Sequence, residues 1–207
     1  MSLLGRLTEK SWLTPGVDAG IDPSDYRPPA VQVMLYVYCA VAAMIFALIV
    51  MAYLMRMEMH VAMGHASGDW RPMPEPALLW VNTGVLLLAS VAWEWARRAA
   101  VAPDGQNSAE TMRRGMLAGG LLGIAFLGGQ LLLWRQFDAA GYYLSANPAN
   151  AFFYLLTATH GLHLIGGVIG WLRVLNHSTP LGVRLCALYW HYLLLIWVLL
   201  AGLLFLT

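Results

Sequence analysis

Residues 152–174 read FFYLLTATHGLHLIGGVIGWLRV. The run holds no Asp, Glu or Lys and reaches its first Arg only at Arg173. About 20 consecutive apolar residues are enough to cross a bilayer as a helix, so this stretch reads as a membrane span. Two histidines, His160 and His163, sit in its middle. Ionisable side chains are costly inside a membrane and face the interior of a bundle. Three uses for such a pair are open: ligation of a metal or haem, proton relay, or polar glue between helices.

Four further stretches have the same character, giving spans at roughly 31–55, 77–96, 115–134, 151–173 and 182–206. With 59% hydrophobic and 11% charged residues in a chain of 207, almost nothing remains for a water-soluble domain. The expected fold is an all-α integral membrane bundle of five transmembrane helices, residues 31–207, preceded by a polar cytoplasmic tail over 1–30. That tail holds Arg6, Glu9, Lys10, Asp18, Asp22 and Asp25 and no apolar run of signal-peptide type. Nine basic residues fall on the side of the tail and of the 97–114 and 173–184 connections, against Arg56, Arg71 and Arg135 on the other. The positive-inside rule then places the N-terminus in the cytoplasm and the C-terminus outside. A net charge of +1 gives no reason to expect nucleic acid as a partner. Cys39 and Cys186 imply no disulfide framework.

Helices in lipid associate through close packing and a few polar contacts, so small residues at intervals of four mark helix contacts. Gly115, Gly119 and Gly123 have that spacing, as do Gly166 and Gly170. On a helix, His160, His163, Gly167, Gly170 and Val174 fall on one stripe, which is expected to face a neighbouring helix. The last two spans are joined by a short connection containing Pro180 and should be antiparallel neighbours, bringing His163 towards His191.

Other candidates are local. Glu94 stands three and four residues before Arg97 and Arg98, the spacing of helical ion pairs, with Trp93 and Trp95 as interfacial anchors and proton transfer by Glu94 as the sharper alternative. Asn82 is expected to bond across helices. MRMEMHVAMGH at 55–65 offers Met59, His60, Met63 and His65, whose thioether and imidazole groups suit copper(I); the plainer reading is a helix end packed with methionine. No phosphate-binding, zinc-protease or nucleophile-elbow motif occurs, and no polar path crosses the chain as a transporter would need.

Three segments together resemble one family. FFYLLTATHGLHLIGG (152–167) resembles the His-Gly-x-His segment of subunit III of haem-copper terminal oxidases, LYWHYLLLIW (188–197) is similar to its Tyr-Trp-His segment, and VNTGVLLLASVAWEWARRA (81–99) to its Asn-Thr helix. Tyr53, the GDW at 68–70 and Gln130 also fall where the family has similar residues. The resemblance covers residues 30–206, in the five-helix form of the subunit, which is found in cytochrome c and quinol oxidases. It implies a subunit that itself binds no haem or copper. That subunit packs beside the catalytic subunit I, which holds both, and supports assembly, phospholipid retention and stable turnover in a bacterial cytoplasmic membrane.

By the same resemblance, His160, His163, Trp190 and His191 become packing or lipid-contact positions, joined by Asn82, Glu94, Gly167 and Gly170 as subunit- or lipid-interface candidates. Val41, Ala77, Leu133 and Leu194 stand where many members have acidic residues, which favours assembly, lipid retention and stability over proton supply as this chain's role. Two alternatives remain: an accessory protein of nitric oxide reductase built on the same helices, and a small haem- or copper-binding membrane protein using the histidines and methionines directly.

Overall fold

The computed structural model describes residues 27–62, 76–102, 105–145 and 147–206. Among them there are five helices and no strand: α1 Ala30–Ala62, α2 Ala77–Ala99, α3 Gly105–Ala139, α4 Pro148–Asn176 and α5 Pro180–Leu206. Each is long and apolar enough to cross a membrane, as the five apolar runs require. Leu35–Thr207 form one compact unit; of Met1–Met34, residues 27–34, which include the start of α1, are described.

The helices overrun the apolar segments, because capping and turn residues, rather than hydropathy, end them. At α4, Asn147 is extended and its side chain accepts a hydrogen bond from the Ala149 amide at 3.0 Å, with Pro148 at the first helical position. Both features satisfy or remove amides that a helix start leaves unpaired. At α5 the Thr179 hydroxyl does the same for Gly182 at 3.1 Å, next to Pro180. Beyond α3, Gly141 turns the chain with a φ of 87°, a conformation that favours glycine.

Helices α2, α3, α4 and α5 pack in a ring, each against two neighbours, so α4 and α5 are adjacent as expected. Its interior is aromatic. Trp93, Phe126, Trp190 and Trp197 are all completely buried. The α3 glycines are the seats for these rings. A Cβ on Gly115 would lie 2.9 Å from Ala96, a true approach of backbones, but one on Gly119 would lie 2.7 Å from the Trp93 indole. At Gly120 and Gly123 it would collide with Trp171 and Trp190. The expected close contact therefore exists, with indoles filling most of it.

Helix α1 packs outside this ring with a narrower stripe. Its covered positions include Leu35, Cys39, Ala42, Phe46, Ile49 and Tyr53, stepping by three and four residues as in a coiled-coil seam. Contact runs through rings: Tyr38 and Phe46 lie 5.9 and 5.3 Å from His163, and Tyr53 meets Phe152 edge-on at 5.6 Å.

Candidate functional site

The two histidines that pose the question are placed by α4 and do different things. His160 is 1% exposed. Its ring centre lies 6.4 Å from Phe46, 5.9 Å from Phe126 and 5.1 Å from Trp197, and both nitrogens lack a hydrogen-bond partner among the described residues. It is used as an aromatic disc at the junction of α1, α3, α4 and α5. His163 Nδ1 donates to the Thr159 carbonyl one turn back at 2.8 Å, while its own carbonyl accepts from the Tyr189 hydroxyl at 2.9 Å. Among the described residues neither imidazole bonds across helices, and ring packing takes the place of the polar glue.

Cross-helix hydrogen bonds come from other residues. Asn82, 2% exposed, donates from α2 to the Phe126 carbonyl at 3.2 Å and to Gln130 Oε1 at 3.4 Å, both on α3. The Trp197 indole donates to the Thr83 hydroxyl at 2.9 Å, joining α5 to α2, and the Trp134 indole to the Thr157 hydroxyl at 3.1 Å, joining α3 to α4. In a bilayer, water does not compete for such groups, which is why they pair with one another. The Asn82 bond was legible in the sequence. The two indole bonds were not, since nothing local distinguishes these tryptophans from interfacial ones.

His163 and His191 do not meet. His191 projects from α5 towards α2, where its Nδ1 shares a short hydrogen bond with the Ser90 hydroxyl and its Nε2 lies 3.5 Å from Glu94 Oε2. One tautomer satisfies both: a proton on Nε2 faces the carboxylate and Nδ1 accepts from Ser90. Glu94 also accepts two bonds from Arg97, each at 2.7 Å, and one from Arg98 Nε at 2.8 Å. The ion pairs follow the predicted three- and four-residue spacing. Ser90 was missed; its signal is the four-residue step to Glu94, which puts both on one helical face.

Two expected placements are corrected, those of Trp93 and Gly170. Trp93 is no interfacial anchor: it is buried and stacked on Trp190, with centroids 5.9 Å apart and planes 17° apart, while Trp95 is 52% exposed. Trp190, His160 and Gly167, expected at packing or lipid-contact positions, are buried within the chain itself, as are His163 and Asn82. Gly167 is the close contact on α4, against Tyr189 and Leu193, whereas a Cβ on Gly170 would meet nothing within 4 Å. Only Glu94, His191 and Gly170 among the interface candidates reach the surface.

Of the copper candidates, Met63 and His65 lie outside the described residues, and only the backbone of Met59 and His60, in α1, is described. No group of three or more His, Cys, Asp or Glu side chains is gathered as a metal site among the described residues.

The family model described as cytochrome c oxidase subunit III matches residues 30–206. The chain is 27% identical over 202 residues to cytochrome c oxidase subunit 3 of Thermostichus vulcanus, covering 92% of this chain and 94% of that one. It is 26% identical over 180 residues to the probable cytochrome c oxidase subunit 3 of Mycobacterium tuberculosis, covering 83% and 85%. It is 27% identical over 183 residues to that of Nocardia farcinica, with the same coverage. A match over nearly all of a five-helix membrane bundle shows the family: this chain belongs to the cytochrome c oxidase subunit III family.

Proposed function

We propose that the chain is the non-catalytic subunit III of a proton-pumping haem-copper oxygen reductase in a bacterial cytoplasmic membrane. It packs beside the haem- and copper-bearing subunit I and supports assembly, phospholipid retention and stable turnover. The observation that carries the reading is the family match along residues 30–206. It is supported by where the polar side chains are used: Asn82, Gln130, Thr83 and Thr157 bond neighbouring helices and His160 fills the aromatic core. The reading takes the orientation that the charge bias favours, with the N-terminus in the cytoplasm and the Glu94 cluster on the cytoplasmic side.

The test is to pull the tagged chain from native membranes in mild detergent, then record a reduced-minus-oxidised spectrum and identify the proteins eluted. A large haem-bearing subunit of the oxygen-reducing type eluting with it is the expected result. A nitric oxide reductase subunit in its place would move the chain to that complex, and haem or copper on the isolated chain would overturn the non-catalytic reading.

A further inference from the structure

The level of the bundle at which His160 sits collects polar groups from all four ring helices. Asn82 and Thr83 come from α2, Gln130 from α3, His160 from α4 and Trp197 from α5. Short links draw them together. Asn82 bonds Gln130 at 3.4 Å and the Phe126 carbonyl at 3.2 Å, and Trp197 bonds Thr83 at 2.9 Å. The His160 ring lies 5.9 Å from Phe126 and 5.1 Å from Trp197. Gln130 follows Phe126 by one turn on the same face of α3, and it is 4% exposed where His160 is 1%.

Counting hydrogens at this level isolates what is left over. Both N–H groups of the Asn82 amide are used, as is the indole N–H of Trp197. The Thr83 hydroxyl donates to the Leu79 carbonyl at 2.9 Å. None of these is free for His160. Gln130 Nε2, with two hydrogens, and both nitrogens of His160 have no hydrogen-bond partner among the described residues. A neutral imidazole carries one donor and one acceptor. A spare donor on α3 and a spare acceptor on α4 thus share one level without touching. Buried polar groups are nearly always paired, by ordered water where no side chain reaches, and a bare one is costly where hydrocarbon surrounds the protein.

The packing beside His160 is open enough for a small guest. A Cβ on the adjacent Gly161 would find one atom within 4 Å, Leu127 Cδ2 at 3.9 Å, so α3 and α4 are not pressed together here. One turn further along, the same two helices are joined directly by the Trp134 indole and the Thr157 hydroxyl at 3.1 Å.

We propose that a single water molecule, enclosed as the bundle folds, is bound between Gln130 and His160. It accepts from Gln130 Nε2 and donates to the unprotonated nitrogen of His160. Helices α3 and α4 are then tied at this level through water, as α2 is tied to α3 by Asn82 and to α5 by Trp197. The ring packing of His160 is kept, and its remaining N–H has aromatic faces around it, which are weak acceptors. The water accounts for a histidine, rather than a phenylalanine, in a site walled by Phe46, Phe126 and Trp197.

The experiment is cryo-microscopy of the full chain, purified in mild detergent with the subunits it carries, at a resolution where ordered water shows on other buried polar groups. A density peak within hydrogen-bond distance of both Gln130 Nε2 and one His160 nitrogen is expected. Gln130→Met, which keeps the length of the side chain and has no donor, should lose the peak. A wild-type map in which the two side chains meet directly overturns the site, as does one that shows water elsewhere and none here. A peak unchanged in Gln130→Met overturns it too. Thermal unfolding gives a second reading that needs no map. The fall in midpoint caused by Gln130→Met should be about halved in a His160→Phe background, where the bridge has already lost one end and only the Asn82 bond is left to lose. Equal falls in the two backgrounds would mean that no bridge joins these residues.

Discussion

Asn82 shows what one polar side chain does in this bundle. Its amide reaches both the Phe126 carbonyl and Gln130, and a Cβ on the adjacent Gly129 would strike its Oδ1. The side chain is thus fixed by shape as well as by bonding. Replacing it with Leu removes two donated bonds and leaves Gln130 Oε1 without this donor in a place water does not reach. Cross-helix bonds in membranes average about 0.6 kcal/mol and reach about 1.7, so Asn82→Leu should destabilise the chain by about 1–2 kcal/mol. Reversible unfolding in mixed micelles measures this; a change below the error of the method would mean that the amide is an ornament of the interface rather than a tie.

At the scale of the helix, the α3 glycines separate into those that seat a ring and those that do not. A Cβ on Gly123 collides with Trp190, which is itself stacked on Trp93 and fully buried, so the ring has nowhere to retreat. Overpacking of this kind costs about 1–3 kcal/mol, and Gly123→Ala should lower the unfolding midpoint accordingly. On α2, a Cβ on Gly84 meets nothing within 4 Å. There the gain in helix propensity, up to about 1 kcal/mol in soluble helices, stands alone, and Gly84→Ala should be neutral or stabilising. A loss at Gly123 with no loss at Gly84, read by thermal unfolding in the same detergent, is what the packing requires; equal losses would refute it.

For the molecule as a whole, the five spans and the Glu94 ion pairs were legible in the sequence because run length and the three- and four-residue steps are local properties. Which face each helix buries was not. The lipid-facing side is as apolar as the core, so Trp93 and Trp95, two residues apart, look alike and end at 0% and 52% exposure. The Ser90–His191 bond joins residues 101 positions apart and has no sequence signature of its own. The same limit hid how α1 is held.

That attachment supplies a test of the whole assembly. The α2–α5 ring closes without α1, which adds its stripe through Tyr38, Phe46 and Tyr53, with His163 the ring that Tyr38 and Phe46 share. His163→Leu keeps the apolar volume on α4 but removes the face on which those two rings pack, and aromatic pairs of this kind are worth about 0.5–1.5 kcal/mol each beyond burial. The ring of four helices should survive and α1 should loosen. If the chain is an accessory subunit, the variant then yields less complex per chain expressed, while the haem spectrum normalised to the complex recovered stays that of the wild type. Phe46→Ala should act the same way, and the double variant should cost less than the sum of the two, since each removes one half of a shared contact. A fall in haem per complex in His163→Leu but not in Phe46→Ala would place His163 at a haem rather than at a helix contact.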